Sequence, residues 1–343
     1  MHVNLVGISE DVKSHRIYMD GLAALLSGFV TFDTFSSSME SGQVLPSKNN
    51  NPIWHLTSQF LAPRIQDIAQ GKIVMTGHDL FPLTVARAFI EDRYSDPLRL
   101  HLSDLRTVDE VIAVSDYSRR ELLDFGVDDQ KISVVPPYVD EKTFRPRTDT
   151  NPLFEKYPQL SRQKKYVLTV ASIWERKNLL RMIMAFSHLA RKKPDVDYIL
   201  VTDPIGPGGH EVKFAVRHFG LEDRIHVIPN VTNENLARLY SISSCLFFVT
   251  LAEGFGIPII ESMLSGCPVM GSRNSGSQET AGNAALLVNP NNVEEIAGNL
   301  EALLENQTLR ESLRSMGYAR AKLFSADVVR KKLLQVYQRT DSA

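Results

Sequence analysis

Hydrophobic and polar positions along this chain fall into two alternating rhythms. Short, almost wholly apolar runs rich in Val, Ile, Phe and Tyr recur throughout. In the first half they are "HVNLVGI", "VTFDTF", "PIWHLT", "KIVMTG", "EVIAVS" and "ISVVPP"; in the second, "KYVLTVAS", "DYILVTD", "RIHVIPNV", "CLFFVT", "PVMGS" and "AALLVNP". Between them lie longer amphipathic stretches such as "NLLRMIMAFSHLARKK" and "NENLARLYSIS", the second with Asn233 as its expected cap. After Pro290 three further helical segments follow: "VEEIAGNLEALLEN", "TLRESLRSMGYARAKLF" and "ADVVRKKLLQVYQ". Apolar strands alternating with amphipathic helices predict an α/β fold with parallel sheets buried on both faces. Residues 141–164 are rich in Pro, Lys, Arg and Asp, have no period and read as a linker. Two Rossmann-like doubly wound domains are therefore expected, with a ligand in a crevice at the carboxyl ends of both sheets.

Composition narrows the function. The chain has 343 residues, 43% hydrophobic and 23% charged, enough for two cores. A net charge of −2 argues against a nucleic-acid binder that works by neutralising phosphates. Up to residue 150 there are 15 Lys or Arg against 21 Asp or Glu, which leaves 23 against 19 for the rest. A mildly basic second half suits an anionic small ligand, though weakly. The two cysteines, Cys245 and Cys267, sit inside apolar runs and read as buried thiols of a reducing compartment. "MHVNLVGISED" carries acid where a signal peptide carries base, and no run reaches membrane-spanning length. A cytoplasmic protein is expected.

The stretch "AEGFGIPIIESML", Ala252 to Leu264, holds the first candidate chemistry. It follows the strand "CLFFVT", so its glycine turn lies at the carboxyl end of a parallel strand. Pro258 is tolerated in a first helical turn, where its missing amide would be unpaired anyway. The amides from Gly254 through Phe255 and Gly256 to Ile257 then open a helix as an anion site, and glycine lets a phosphate approach the backbone. Glu253 before the turn and Glu261 inside the helix are poor neighbours for phosphate but good acceptors for sugar hydroxyls. A nucleotide sugar satisfies both conditions. The bland reading, a surface Glu before a turn and a helix Glu, has even weight for so short a pattern.

A second stretch shifts that balance. "ASIWERKNLLRMI" places Arg176 and Lys177 after the strand "KYVLTVAS", where two cations can hold a diphosphate and stabilise it as it leaves. A solvated charged turn capped by Asn178 explains them equally, taken alone. In the first half, "TGHDL" puts His78 after the strand "KIVMTG", positioned to face the crevice and hydrogen-bond a reacting sugar. Two other patterns read as structural. Asp195 and Asp197 of "DVD" precede a strand at its amino end and read as a turn, not a metal pair. "GPGG", Gly206 to Gly209, lacks the Lys and Ser/Thr of a P-loop.

These residues, in this order, resemble the retaining glycosyltransferases of family 4, which have the two-domain GT-B fold and an E-x7-E motif. The likeness runs through "ERKNLLRMIMAF", "FGLEDRIHVIPNVTNENLARLY", "AEGFGIPIIESMLSGCPVMGS" and "QETAGNAALLVNP", and more weakly through "MTGHDL" and "VIAVSDYSRRELLDFGVDDQKISVVPPYVD". It implies an acceptor domain over residues 1–150, a nucleotide-sugar donor domain over 165–325, and a final helix, 326–343, crossing back onto the first domain. Glu261 would bind the ribose hydroxyls; Glu253 and the amides of Phe255, Gly256 and Ile257 would hold the donor sugar and diphosphate. Arg176 and Lys177 would bind phosphate, the segment from Ile228 to Val231 would contact the base, and His78 would lie beside the anomeric carbon. With Glu253 and Lys177, His78 forms the implied catalytic set. No metal and no cofactor is implied. The family retains anomeric configuration by front-face attack, with the leaving phosphate helping to deprotonate the acceptor.

The chain departs from the family in three places. Where many members carry a glycine-rich loop after the first strand, this chain has "SEDVKSHRIYMDG", so Ser14, His15 and Arg16 are acceptor-loop candidates of altered role. Where many have Gly-Arg, this chain has Ala171 and Ser172, which leaves Arg176 to replace a phosphate cation. The first domain also shows no clear basic amphipathic helix of the kind found in membrane-associated members. The expectation is a metal-independent hexosyltransferase that moves a sugar from a UDP- or GDP-linked donor to a saccharide or lipid-linked saccharide acceptor in bacterial surface polysaccharide synthesis. It would work in the cytoplasm, with room for a peripheral contact at the inner membrane face. A nucleotide-sugar epimerase of the same fold and a nucleotide-sugar-binding pseudoenzyme are the alternatives. A dehydrogenase is disfavoured because no G-x-G-x-x-G turn follows the first strand.

Overall fold

The computed structural model describes residues 1–8, 13–37, 45, 52–68, 70–80, 102–203 and 208–342. Contacts divide the chain into two compact units, residues 1–138 with 324–343, and residues 139–323.

The first unit is a six-stranded parallel sheet. Its strands are β1 (His2–Ile8), β2 (Thr31–Ser37), β3 (Ile53–Leu56), β4 (Lys72–Gly77), β5 (Glu110–Ala113) and β6 (Ile132–Val134). They lie in the order β2-β1-β3-β4-β5-β6, so the topology switches direction between β1 and β3. All the pairs are parallel, and β3 and β5 are buried along their whole length. The described helices of this unit include α1 (Lys13–Leu26) and α2 (Asp116–Asp124). Ser115 caps α2 by accepting from the Ser118 amide.

The second unit repeats the plan. Its strands are β7 (Lys165–Val170), β8 (Val196–Val201), β9 (Ile225–Ile228), β10 (Ser243–Phe248), β11 (Val269–Ser272) and β12 (Ala285–Val288). Their order is β12-β11-β10-β7-β8-β9, the doubly wound arrangement with its switch point between β7 and β10. The helices are α3 (Asn151–Lys156), α4 (Leu179–Ala190), α5 (Gly209–His218), α6 (Asn233–Ile242), α7 (Ile257–Leu264), α8 (Ser275–Ala281), α9 (Val293–Glu305) and α10 (Gln307–Ala321). The apolar face of α4, with Met182, Ile183, Phe186 and Leu189, joins Tyr198 and Phe247 in one core. Ring centroids there lie 5.2 Å apart for Phe186–Tyr198 and 5.8 Å for Tyr198–Phe247. The Tyr198 hydroxyl would be costly to bury unpaired, and Thr169 Oγ1 meets it at 2.8 Å.

The chain returns to the first unit in α11 (Ala326–Ser342). Val329, Leu333, Val336, Tyr337 and Thr340 form its buried stripe, the spacing of one helical face. They pack with Leu22, Leu25 and Leu26 of α1 and Ile53 of β3, while Arg330 Nε donates to the Leu25 carbonyl at 2.9 Å. Each apolar run of the sequence thus becomes a strand, and the α/β fold class is as expected. Among the described residues no helix is long and apolar enough to cross a membrane. Cys245 and Cys267 are buried and unpaired.

Three local expectations change. Residues 141–164 group with the second unit and contain α3, and polar contacts anchor them there: Arg238 Nη2 donates to Asp149 Oδ2 at 2.6 Å, and the Arg147 backbone amide to Ser241 Oγ at 2.9 Å. The cap of α6 is Thr232, whose hydroxyl accepts from the Asn235 amide, and Asn233 is the first helical residue. Asp197 lies inside β8, not in a turn before it. It is 4% exposed and held by Arg224 at 2.7 Å, His226 at 3.1 Å and Lys164 at 3.3 Å, a buried ion cluster that fastens β8 to β9 and to the start of β7.

Candidate active site

In the second unit the strand order brings two distant stretches together. β7 leads to the 3-10 turn Glu175–Lys177, β10 leads to the glycine turn, and both leave the sheet on either side of the switch point. The Leu251 amide donates to the Arg176 carbonyl at 2.7 Å, tying one turn to the other. Asn178 occupies the first position before α4 in a left-handed conformation (φ 61°), yet its side chain makes no capping bond. Its Nδ2 instead donates to the carbonyls of Val249 at 2.9 Å and Pro290 at 2.8 Å. Asn178 thus holds the cap position of the bland reading but uses its side chain as a clamp across the carboxyl edge of the sheet.

Glu253 is the centre of this junction. Its Oε1 accepts from Lys177 Nζ at 2.5 Å and its Oε2 from Arg176 Nη1 at 3.2 Å. The side chain is 9% exposed, against 12% for Lys177 and 24% for Arg176. Burial alone would raise the carboxyl, but the charges of Lys177 and Arg176 overturn that and hold it below the usual carboxylate range. Lys177 Nζ also lies 5.8 Å from the Phe248 ring centroid, and Arg176 Nη1 reaches the Ala252 carbonyl at 3.3 Å. Arg176 and Lys177, paired with Glu253 by the chemistry of the sequence, are in direct contact with it.

The glycine turn is built for close approach. Gly256 has φ +94°, and a Cβ there would meet Ile259 Cδ1 at 3.2 Å. It opens α7, with Pro258 in the first turn. The Ile259 amide is taken by the Gly256 carbonyl at 3.0 Å and Pro258 has none, so Ile257 carries the remaining amide of that turn. Gly254 and Phe255 are buried, and the Phe255 carbonyl accepts from Thr280 Oγ1 at 2.7 Å. From the far side α8 supports the turn. The Glu253 amide donates to Ser275 Oγ at 3.1 Å, and the Gly276 amide to the Glu253 carbonyl at 2.9 Å. A Cβ on Gly276 would lie 2.1 Å from the Gly254 carbonyl oxygen, so only glycine fits.

One helical turn into α7, Glu261 is half-buried and its Oε2 accepts from the Tyr240 hydroxyl at 2.8 Å. Burial pushes its carboxyl up to about 7, against the opposing hydrogen bond from Tyr240. Tyr240 itself is fully buried on α6. Val231 is buried after β9, following Asn230 in a left-handed conformation (φ 53°). Tyr240, Ser275 and Gly276 were missed by sequence reasoning. Tyr240 was lost among helical apolar positions, and "NSG" carries no signal of what it packs against.

In the first unit His78 follows β4, beside the switch-point strand β3. Its Nε2 meets the Thr57 carbonyl at 2.9 Å, which can only accept, so Nε2 carries the proton and Nδ1 the lone pair. Its amide donates to Gln59 Oε1 at 3.0 Å, and its carbonyl accepts from Ser118 Oγ at 3.0 Å. Burial lowers its pKa to about 4, opposed by the bond to Thr57, so the imidazole is neutral at pH 7. The Tyr18 ring stands edge-on at 4.6 Å. Behind it, fully buried His55 bridges Tyr337 of α11 at 2.6 Å and Thr76 of β4 at 2.7 Å, and Thr76 also meets the Tyr18 hydroxyl at 3.3 Å. Burial, and secondarily the charge of His78, lower His55 to about 3. Ser14, His15 and Arg16 fall in the first turn of α1, and their side chains lie outside the described residues. So do Gly206 and Pro207 of "GPGG"; Gly209 begins α5.

Comparison with known proteins identifies the family and the fold. Residues 153–320 match the family model of glycosyl transferases group 1, and residues 52–143 that of glycosyltransferase family 4. The chain is 27% identical over 290 residues to the O-antigen chain mannosyltransferase B of Escherichia coli, covering 83% of this chain and 74% of that one. It is 30% identical over 242 residues to an MMP alpha-(1->4)-mannosyltransferase of Mycolicibacterium hassiacum, covering 68% of this chain but only 55% of that relative's length. The fold matches that of Anabaena HepE, solved with UDP and glucose, with a TM-score of 0.78 at 16% identity over 98% of this chain and 99% of that one.

Proposed function

The chain belongs to the glycosyltransferases of the GT-B fold, and on that premise we propose that it transfers a hexose, with retention of configuration, from a nucleoside-diphosphate sugar to a saccharide acceptor. The observation that carries this reading is the contact of Arg176 and Lys177 with Glu253 at the switch point, beside the glycine turn that opens α7. Two cations and a helix start suit a diphosphate, and flanking carboxylates suit the hydroxyls on either side of it.

In the proposed complex Arg176, Lys177 and the amides of Gly256 and Ile257 hold the diphosphate, with Gly254 and Phe255 shaping the turn. Glu261 accepts from the two ribose hydroxyls. Tyr240 already occupies one of its oxygens, and with a pKa of about 7 the group sheds its proton as those hydroxyls arrive. The base lies along Ile228 to Val231. Glu253 accepts from hydroxyls of the sugar, and neutral His78 hydrogen-bonds the sugar beside the anomeric carbon. Lys177 and Arg176 stabilise the leaving diphosphate, whose oxygen takes the proton of the attacking acceptor hydroxyl on the same face. No protein nucleophile and no metal enter the scheme. Ser14, His15 and Arg16, in the first turn of α1, are the candidates for contact with the acceptor.

The E. coli and Mycolicibacterium relatives are named mannosyltransferases and HepE was solved with UDP, so mannose and glucose linked to GDP or UDP are the first donors to test. The O-antigen relative makes a saccharide of the bacterial surface, lipid-linked or free, the first acceptor class, and in the lipid-linked case a cytoplasmic enzyme would work at the inner membrane face. Thermal stability against UDP-, GDP- and ADP-sugars tests the reading. A donor at a hundred times its dissociation constant stabilises by about 2.7 kcal/mol, and the shift should vanish in Glu261→Ala and Lys177→Ala. Absence of a shift with every donor, or a shift that survives both substitutions, refutes it.

A further inference from the structure

We infer that Glu253 is a built-in counter-ion that makes the site prefer the nucleoside-diphosphate sugar over the spent nucleoside diphosphate. This rests on the donor-site reading above. Both oxygens of Glu253 already hold the two cations assigned to the diphosphate, Oε1 on Lys177 and Oε2 on Arg176. The residue is also fixed through its backbone, with its amide on Ser275 Oγ and its carbonyl taking the Gly276 amide. No Cβ fits at Gly276, so that wall of the turn is rigid backbone and the main chain of Glu253 is held in place.

An entering diphosphate must therefore share Arg176 and Lys177 with a carboxylate kept ionised by those same cations. Sharing the same two cations brings the phosphate oxygens close to the carboxylate, and in a part-buried site neighbouring like charges repel. The sugar of an intact donor offsets that repulsion. Each carboxylate oxygen has two lone pairs, so Glu253 can keep its cations and still accept from sugar hydroxyls. A free nucleoside diphosphate brings no such hydroxyl and carries an extra negative charge at its terminal phosphate. It meets the repulsion without the compensation. The cluster would thus bind substrate and expel product, which matters where product release limits turnover.

The test is calorimetric binding of UDP, GDP, UDP-glucose and GDP-mannose to the wild type, Glu253→Gln and Glu253→Asp. Removing one unit charge near the phosphates should tighten nucleoside-diphosphate binding about ten-fold in Glu253→Gln, from Coulomb interaction at an effective dielectric of about 20 with partial screening. The donor gains less, because its hydroxyl contacts weaken, so the preference for donor over diphosphate collapses. Glu253→Asp keeps the charge and guards against a folding failure of the Gln variant. Its retracted carboxylate should also lower the preference, whereas a merely structural role would weaken both ligands alike. Diphosphate affinity unchanged or reduced in Glu253→Gln, with the donor preference intact in both variants, overturns the inference and leaves the donor site standing. If neither wild type nor variants bind any of the four ligands, the donor-site reading fails and the inference with it.

Discussion

Gly276→Ala offers the sharpest check of how the glycine turn is supported. The φ of Gly276 is not in the positive range, so an alanine meets no backbone strain there, and the constraint is one of space. Its Cβ would fall 2.1 Å from the Gly254 carbonyl oxygen, 2.4 Å from the Gly254 carbonyl carbon and 2.8 Å from the Glu253 carbonyl oxygen. All three are backbone atoms, which cannot rotate away as a side chain can. Either α8 moves off the turn or the turn moves off α8, and both break the 2.9 Å bond from the Gly276 amide to Glu253. Overpacking costs about 1–3 kcal/mol, and the lost hydrogen bond about 0.5–1.5 kcal/mol. Together these predict about 2–4 kcal/mol, or a fall in Tm of roughly 5–15 °C for a unit of this size. The control is the same substitution at Gly298, exposed on α9 with no atom within 4 Å of a new Cβ. There alanine should stabilise by about 1 kcal/mol through helix propensity. Differential scanning calorimetry reads both signs, and donor binding by Gly276→Ala should fall with its stability. A Gly276→Ala protein with wild-type Tm and wild-type donor affinity would refute the packing argument.

Two further outcomes follow from the titrating groups. The folded-state pKa of Glu261 is raised to about 7, so the folded protein binds its proton more tightly than the unfolded chain; the associated stability is complete below about 4.5 and lost as pH rises through 7. Melting between pH 5 and 8 should show a decline on the order of 1–3 kcal/mol, absent in Glu261→Gln; an identical slope in the variant would contradict it. His55 and His78 are lowered to about 3 and 4, so their contribution is present above about 6.5 and lost as pH falls through 4. Tyr337→Phe leaves the buried Nδ1 of His55 without its partner and should cost about 1–3 kcal/mol in urea unfolding at pH 7. No loss there would mean that the His55–Tyr337 bond contributes nothing to holding α11.

Much of this protein was determined by its sequence alone, because local physics decides it. Apolar runs such as "KYVLTV" and "CLFFVT" have nowhere to go but the middle of a covered sheet, and each became a strand. A glycine pair before Ile-Pro can do little but turn and start a helix, and α7 begins at Ile257. The same local reading put Arg176, Lys177 and Glu253 at strand ends. Local signals failed where a residue's partner is far along the chain. Asp197 reads as a turn residue because its partners Arg224, just before β9, and His226, on β9, are far along the chain, and the carbonyls that Asn178 ties, at Val249 and Pro290, lie 71 and 112 positions away. Gly276 looked like any glycine, and Tyr240 like any core aromatic. The meeting of the two motifs was decided by tertiary structure. Lys177 and Glu253 are 76 positions apart, and they touch only because β10 lies beside β7 at the point where the winding reverses. Strand order is set by how the helices cover both faces of the sheet, a property of the whole core that no short stretch of sequence encodes.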